Sequence, residues 1–278
     1  EALTGQNGIA FKAGDLQRLP FNRFRQEILG GVGQGLRMAA FFGSRADSRA
    51  TDLICVLADD SSNMLSVLSS EVKDRYESLT PDCPQAHLFE REIAEQFGVV
   101  PEGHPWLKPV RFPSGEKPLP GDTPFFSAQG EELHEVAVGP VHAGIIEPGH
   151  FRFQCRGETV LHLEIQLGYQ HRGAERFLET APAPRAMAVA ESIAGDTVIG
   201  HALAYSEATE ALAGCPVSPR AQTIRAVALE LERLSNHIGD LGALCADVGF
   251  LPSAAYFGRL RGEFLNMLMD LSGNRNGR

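Results

Sequence analysis

Residues 185–210 read RAMAVAESIAGDTVIGHALAYSEATE, a helix-like run of small residues that carries Glu191, Asp196 and His201 and no cysteine. Asp196 and His201 come about 140° apart on a helix, so they do not share one face. The small residues around them, Ala194, Gly195, Gly200, Ala202 and Ala204, favour close helix packing instead. A second group, Glu90, Arg91, Glu92 and Glu95 in FEREIAEQFG, is followed by Gly103, His104 and Pro105. Acidic residues in a first turn suit the helix dipole, and by residue chemistry alone this group reads as a solvated face. A third group is spread along the sequence: His142, Glu147 and His150 in GPVHAGIIEPGHFRF, His171 and Arg172 in LGYQHRGAERFLE, and Asp247 in CADVGFLP. An imidazole titrates near neutral pH, and a carboxylate that holds it makes a proton relay. A structural His–Asp pair, or a satisfied or solvated side chain, is the competing account of the same residues.

The five cysteines, Cys55, Cys83, Cys155, Cys215 and Cys245, are too dispersed for a C-x-x-C zinc or redox motif, a pattern that suits a reducing compartment. The 278-residue chain, 43% hydrophobic, is long enough for one large domain or two modest ones. Its net charge of −10 argues against an electrostatic grip on nucleic acid or anionic lipid by the surface as a whole. No signal peptide opens the sequence and no apolar stretch of about 18 residues runs uninterrupted, so a membrane role would be peripheral. A start at Glu1, without methionine, reads as the mark of a processed or excised piece.

The elements expected to position these groups are of both kinds, and the fold class reads as α+β. LRMAAFFG (36–43) and DLICVLA (52–58) read as strands; LFEREIAEQFG (88–98) reads as a helix, with Phe89, Ile93 and Phe97 on one side and Gly98 as its stop. GGVGQG (30–35) lacks the preceding strand and following helix of a dinucleotide loop and reads as a flexible turn. A stretch with Pro113, Pro118, Pro120 and Pro124 reads as a linker over 113–134, between domains at 1–112 and 135–278. Beyond it, HFRFQC and ETVLHLEIQL flank Arg156–Gly157 as a hairpin, with Phe151, Phe153 and Cys155 alternating on one strand and Leu161, Leu163, Ile165 and Leu167 on the other. Long helices are expected over 185–213, from near Pro252, and after the Ser218–Pro219 cap pair, where Ile224, Val227, Leu231, Leu234 and Ile238 form an apolar stripe. The expected architecture is a small N-terminal α/β domain, then a hairpin or small sheet beside a bundle of long helices.

FEREIAEQFG followed by GHP resembles the signature of the 30-kDa subunit of complex I, E-R-E-x-x-D-x-F-G and then G-H-P, over roughly residues 35–112. Glu95 stands where that family has Asp, and Gln96 where it usually has Leu or Met. GPVHAGIIEPGHFRF and LGYQHRGAERFLE, continued by CPVSPRAQTIRAVALELERLSNHIGDLGALCADVGFLP (215–252), resemble the 49-kDa subunit of complex I. They equally resemble the large subunits of membrane-bound nickel–iron hydrogenases of the formate hydrogenlyase type, which carry both parts on one polypeptide in this order.

The resemblance implies a fused 30-kDa/49-kDa subunit in the peripheral arm of a respiratory oxidoreductase, on the cytoplasmic side of the inner membrane, inactive by itself. The partners it implies are a small iron–sulfur subunit, whose 4Fe–4S cluster lies next to this chain, and membrane-embedded ion-translocating subunits, with no nucleic acid. A quinone is the implied acceptor, and NAD, if used, acts elsewhere in the complex. By the same resemblance His150, Asp247 and Glu147 relay protons, and His142, His171 and Arg172 face the cavity or the cluster. In the hydrogenases the segment matching ESIAGDTVIGH carries two metal-binding thiolates; here those positions are Ala194 and Thr197, and Ile193 stands where complex I has a quinone-polarising tyrosine. The alternative function is a structural scaffold coupling redox and membrane modules, while Ala194 and Thr197 contradict an active hydrogenase large subunit. Apolar and hydroxyl side chains do not replace soft thiolates. The purified protein is therefore expected to hold no nickel or iron, and elemental analysis finding about one nickel per polypeptide would overturn this.

Overall fold

The computed structural model describes residues 2–45, 50–112, 122–130, 132–142 and 147–277; Pro113, Pro118 and Pro120 of the expected linker lie outside them. Two compact units make up the fold, Glu1–Val141 with Pro148–Tyr169, and His142–Glu147 with Gln170–Arg278. These units are drawn differently from the sequence segments 1–112, 113–134 and 135–278, because the sheet that follows the linker groups with the N-terminal residues.

In the first unit β1 (Leu3–Gln6), β2 (Arg18–Leu19), α1 (Phe21–Gly33), β3 (Arg37–Ser44), β4 (Thr51–Asp59) and β5 (Met64–Val72) build one layer of sheet with a helix on it. The strands run in the order β1-β5-β4-β3, with β2 also pairing β5, in parallel. β4 alternates along most of its length, and its fully buried Leu53 and Cys55 meet Phe24 and Ile28 of α1 in one core. Each such large apolar residue adds about 1.5–3 kcal/mol by leaving water. The glycine run expected as a flexible turn is instead the last turn of α1, where a Cβ on Gly31 would stand 2.7 Å from Leu57, so glycine lets the helix sit on the sheet. Next come β6 (Arg75–Glu77), α2 (His87–Phe97) and β7 (Val100–Glu102), with β6 and β7 paired in parallel. As expected, Gly98 ends α2 in the left-handed region, its N–H bonded to Ala94 O.

The same unit holds a three-stranded antiparallel sheet of β8 (Leu133–Val141), β9 (Gly149–Arg156) and β10 (Thr159–Gln166), with β9 central. Gly157, φ +55°, opens the tight loop between the paired Arg156 and Thr159. β8 is an addition to the hairpin that the sequence pattern announces. The sheet also inverts the usual sidedness. Val136, Val138, Leu163 and Ile165 on its apolar side are exposed, whereas His150, Gln154 and Glu164 on its polar side are buried.

The second unit is helical: α3 (Ala174–Thr180), α4 (Ala183–Glu191), α5 (Val198–Ala213), α6 (Pro219–Asp247) and α7 (Leu251–Ser272). Ser218 caps α6 through Ala221 N–H, with Pro219 in the first turn. The run 185–213 is not one helix: α4 ends at Glu191 and Asp196 lies in the loop before α5. The apolar stripe of α6 is not its packing seam either, since Ile224, Val227 and Leu234 are exposed. Glu232 and Ser235 are buried instead, and Cβ atoms on Gly239 and Gly242 would stand 3.2 Å from Arg261 and 3.3 Å from Phe257 of α7. The seam is polar and small, which brings the two helix backbones close.

Glu232 accepts the N–H of Ile199 at 2.7 Å and of Gly200 at 3.1 Å, two of the orphan donors at the start of α5. A carboxylate there also complements the helix dipole. Glu232→Ala should cost about 2–4 kcal/mol, because a charge-assisted pair of bonds is lost and buried N–H groups are left without partners. Glu232→Gln should cost less. Urea denaturation and amide exchange at residues 198–200 measure this, and unchanged exchange in the alanine variant would refute the capping role.

Candidate functional site

The residues of the E-R-E signature do not form a solvated face. Glu90 is fully buried and accepts from Ser78 Oγ (2.6 Å), Leu79 N (2.8 Å), Thr80 N (3.1 Å) and Thr80 Oγ1 (2.6 Å). Arg91 donates through Nε to Lys108 O (2.7 Å) and through Nη2 to Pro109 O (3.0 Å), with its guanidinium 5.0 Å from the Trp106 ring centroid. Glu95 accepts the N–H groups of Val110, Arg111 and Phe112 at 3.1, 3.0 and 2.7 Å, and Glu92 pairs with Arg111 at 3.0 Å. One helix thus grips two loops, 78–80 and 108–112. His104 of the GHP run accepts Trp106 N–H at Nδ1 (3.0 Å), and its Nε2 lies 3.2 Å from His87 O, which assigns the proton to Nε2.

The gripped strap reaches the three-stranded sheet. Lys108 pairs with the buried Glu164 of β10, whose other oxygen accepts Phe126 N–H at 2.8 Å. A Cβ on Gly168, φ +96°, would collide with Val110 O, so only glycine lets the backbone after β10 pass the strap. A cavity of about 240 Å³ lies at this joint, lined by His87, Arg91, Trp106, Lys108, Glu164 and Gln166 among others. On the same polar face His150 contacts Gly139 O and Arg152, and Arg152 pairs with Glu135.

The expected site residues fall in both units. His150 is buried in the first. His142, Glu147, His171, Arg172 and Asp247 are exposed residues of the second, and Asp247 is the last residue of α6. Because Asp247 is exposed, it has no burial cost that would demand a cationic partner. Residues 143–146, between His142 and Glu147, lie outside the described residues. Arg172 donates to Ser192 O (2.5 Å) and Ile193 O (2.8 Å), capping the end of α4. Asp196 is held by Asn236, which donates to its carbonyl at 2.7 Å, and by Arg261, 3.2 Å from its carboxylate. Sequence reasoning missed Glu232, Arg152, Glu135, Lys108 and Glu164; only their place in an apolar or alternating run could have signalled them.

Residues 43–127 match the family described as respiratory-chain NADH dehydrogenase, 30 Kd subunit. Formate hydrogenlyase subunit 5 of Escherichia coli K12 is 33% identical over 225 residues, which is 73% of this chain and 40% of that protein. Hydrogenase-4 component G of the same organism is 32% identical over 221 residues, 72% of this chain and 40% of that protein. The fused C/D polypeptide of NADH-quinone oxidoreductase from Bdellovibrio bacteriovorus is 25% identical over 219 residues, 68% of this chain and 38% of that protein. The chain spans about two-fifths of the length of these relatives. An α+β protein with the 30-kDa signature helix ahead of the sheet and long helices is thus a homologue of the subunits of complex I-like and hydrogenase-related respiratory complexes. More particularly, it is related to the fused type that carries 30-kDa-like and 49-kDa-like parts together, and it shares more identity with the two hydrogenase-named proteins than with the C/D polypeptide quoted. No helix among the described residues is long and apolar enough to cross a membrane.

Burial holds the His104 imidazole below the ordinary histidine range; burial, then the positive charge of Arg91 and the neighbouring ring, does the same for His87. The unfolded state therefore binds more protons than the folded one between these lowered values and about 6.5. The stabilisation is present above that range and is lost as pH falls through the folded values. Urea midpoints should drop from about pH 7.5 to about pH 5, and drop less in His104→Asn. An identical drop in both proteins would remove His104 from the account.

Proposed function

We propose that this chain serves in the peripheral arm of a membrane-associated respiratory oxidoreductase, on the cytoplasmic side. There it helps to form the cavity beside the 4Fe–4S cluster of a small iron–sulfur subunit, where electron transfer is coupled to proton chemistry. The observation that supports this reading is that the similarity to the two hydrogenase-named relatives extends over 72–73% of the chain, well beyond the residues 43–127 that match the 30 Kd family. Membrane-embedded ion-translocating subunits complete the assembly, with quinone as the acceptor and NAD, if used, bound elsewhere. His150, Glu147 and Asp247 are the residues assigned to proton movement, and His142, His171 and Arg172 to the cavity or cluster side.

A four-thiolate nickel–iron site does not fit this chain. The loop between α4 and α5 presents Ala194 and Thr197, and Ile193 offers no hydroxyl to a quinone carbonyl. A second reading, a scaffold that couples redox and membrane modules mechanically, is favoured by one observation: Arg172 and Glu232 hold the two ends of that loop by bonds to the protein's own backbone.

Arg172 separates the two. A guanidinium near the cluster stabilises its reduced, more negative form and raises its potential. In the assembled complex Arg172→Met should lower that potential and Arg172→Lys should largely restore it, as read by a redox titration followed by electron paramagnetic resonance. A potential unchanged in both variants, with the complex assembled, would leave Arg172 as a helix cap and the scaffold reading in place.

A further inference from the structure

The two ring nitrogens of His150 meet partners of opposite character. Nδ1 lies 3.1 Å from the carbonyl oxygen of Gly139, which can only accept, and Nε2 lies 3.2 Å from Nε of Arg152, which can only donate. The proton is therefore on Nδ1, and the Nε2 lone pair is occupied by the guanidinium N–H. This is the reverse of the Nε2–H tautomer that an unconstrained histidine side chain favours.

Each partner is itself fixed. Gly139 has φ +93°, and a Cβ there would collide with Gly149 O, so its carbonyl is presented to His150 by a backbone that only glycine allows. Arg152 pairs with Glu135 of β8, and its guanidinium lies 4.4 Å from the centroid of Phe125. Glu135 also accepts Gln154 Nε2–H at 2.7 Å, and Phe125 packs 5.1 Å from the His150 ring. The charged groups facing this position are Glu135 from β8, Arg152 from β9, Glu164 from β10, opposite Arg152, and Lys108 from the strap. Glu135 is paired with Arg152 and Glu164 with Lys108, so the face is balanced while the imidazole is neutral. A proton on Nε2 would meet the guanidinium N–H head-on and displace its hydrogen bond.

We propose that Arg152, anchored by Glu135, is a positioning residue that fixes the orientation of the His150 ring as the Nδ1–H tautomer by holding its Nε2 lone pair in a guanidinium N–H bond. The tautomer does not rest on the reading of His150 as a proton-handling group. The test is long-range proton–nitrogen correlation spectroscopy of the ¹⁵N-labelled protein at about neutral pH. Wild type should show His150 as Nδ1–H. Arg152→Met, in which Gly139 O still holds Nδ1–H, should move the Nε2 resonance to that of a ring nitrogen without a hydrogen-bond donor, and Arg152→Lys, which keeps a cationic donor, should retain at least part of the wild-type position. A wild-type His150 in the Nε2–H or the cationic form would overturn the proposal without any variant. So would an Arg152→Met protein with unchanged amide spectra elsewhere and an unchanged His150 Nε2 resonance. Because no turnover is measured, failure of the peripheral-arm reading leaves this result standing, and the reverse also holds.

Discussion

Glu90 is a charged side chain with no access to water, and the order of the first unit follows from the need to satisfy it. A carboxylate left without donors in a protein interior would be costly; four donors from residues 78–80 make it tolerable and, by the same bonds, fix where α2 lies. Once α2 cannot slide or turn, Arg91 and Glu95 are set at defined heights along it and seize the strap 108–112. The strap delivers Lys108 to Glu164, and so the place of the three-stranded sheet within this unit depends on a glutamate far earlier in the sequence. The signature that resembles that of the 30-kDa subunit is, in this protein, built as a clamp.

The second unit repeats the device with a different acid. Glu232 satisfies the open N–H groups of α5, and Arg172 satisfies open carbonyls just beyond α4, so the loop between these helices is held by opposite charges at opposite helix ends. Asn236 and Arg261 fasten Asp196 within it. Asp196, one of the ionisable residues of this apolar segment, thus serves the loop's own architecture. Gly200 lies against Glu232, where an added Cβ would be in ordinary contact 3.5 Å from the carboxylate.

Local signals were legible and long-range ones were not. The periodicity of 88–98 with Gly98, the hairpin glycine at 157 and the Ser218–Pro219 cap each act within a few residues, and each element formed where the sequence put it. Glu90 and Glu95 read as solvated because their donors lie on loops without a pattern of their own. In α6 the apolar stripe is plain, but α7 packs on Gly239 and Gly242, and the buried Glu232 faces the start of α5, residues that hydrophobicity does not weigh. β8 escaped notice where Gly139 and Pro140 interrupt its alternation. Of the candidate site, the family motifs gave His150 its importance, while its partners Arg152 and Glu135 had to come from the geometry.

Alternation along β9 and β10 announced a two-faced sheet but could not say which face is covered. The polar one is. Burying an apolar face asks only for shape, whereas burying this one demands that every charge be matched, and Glu135 with Arg152 and Glu164 with Lys108 meet that demand pair by pair. Such a face resists both the loss and the gain of a charge. At His150 the same balance takes the form of an acceptor, Nε2, occupied by the guanidinium that Glu135 anchors. His150 on the central strand is thereby tied through Arg152 and Glu135 to the edge strand β8, so the orientation of one imidazole and the place of that strand rest on a single run of bonds.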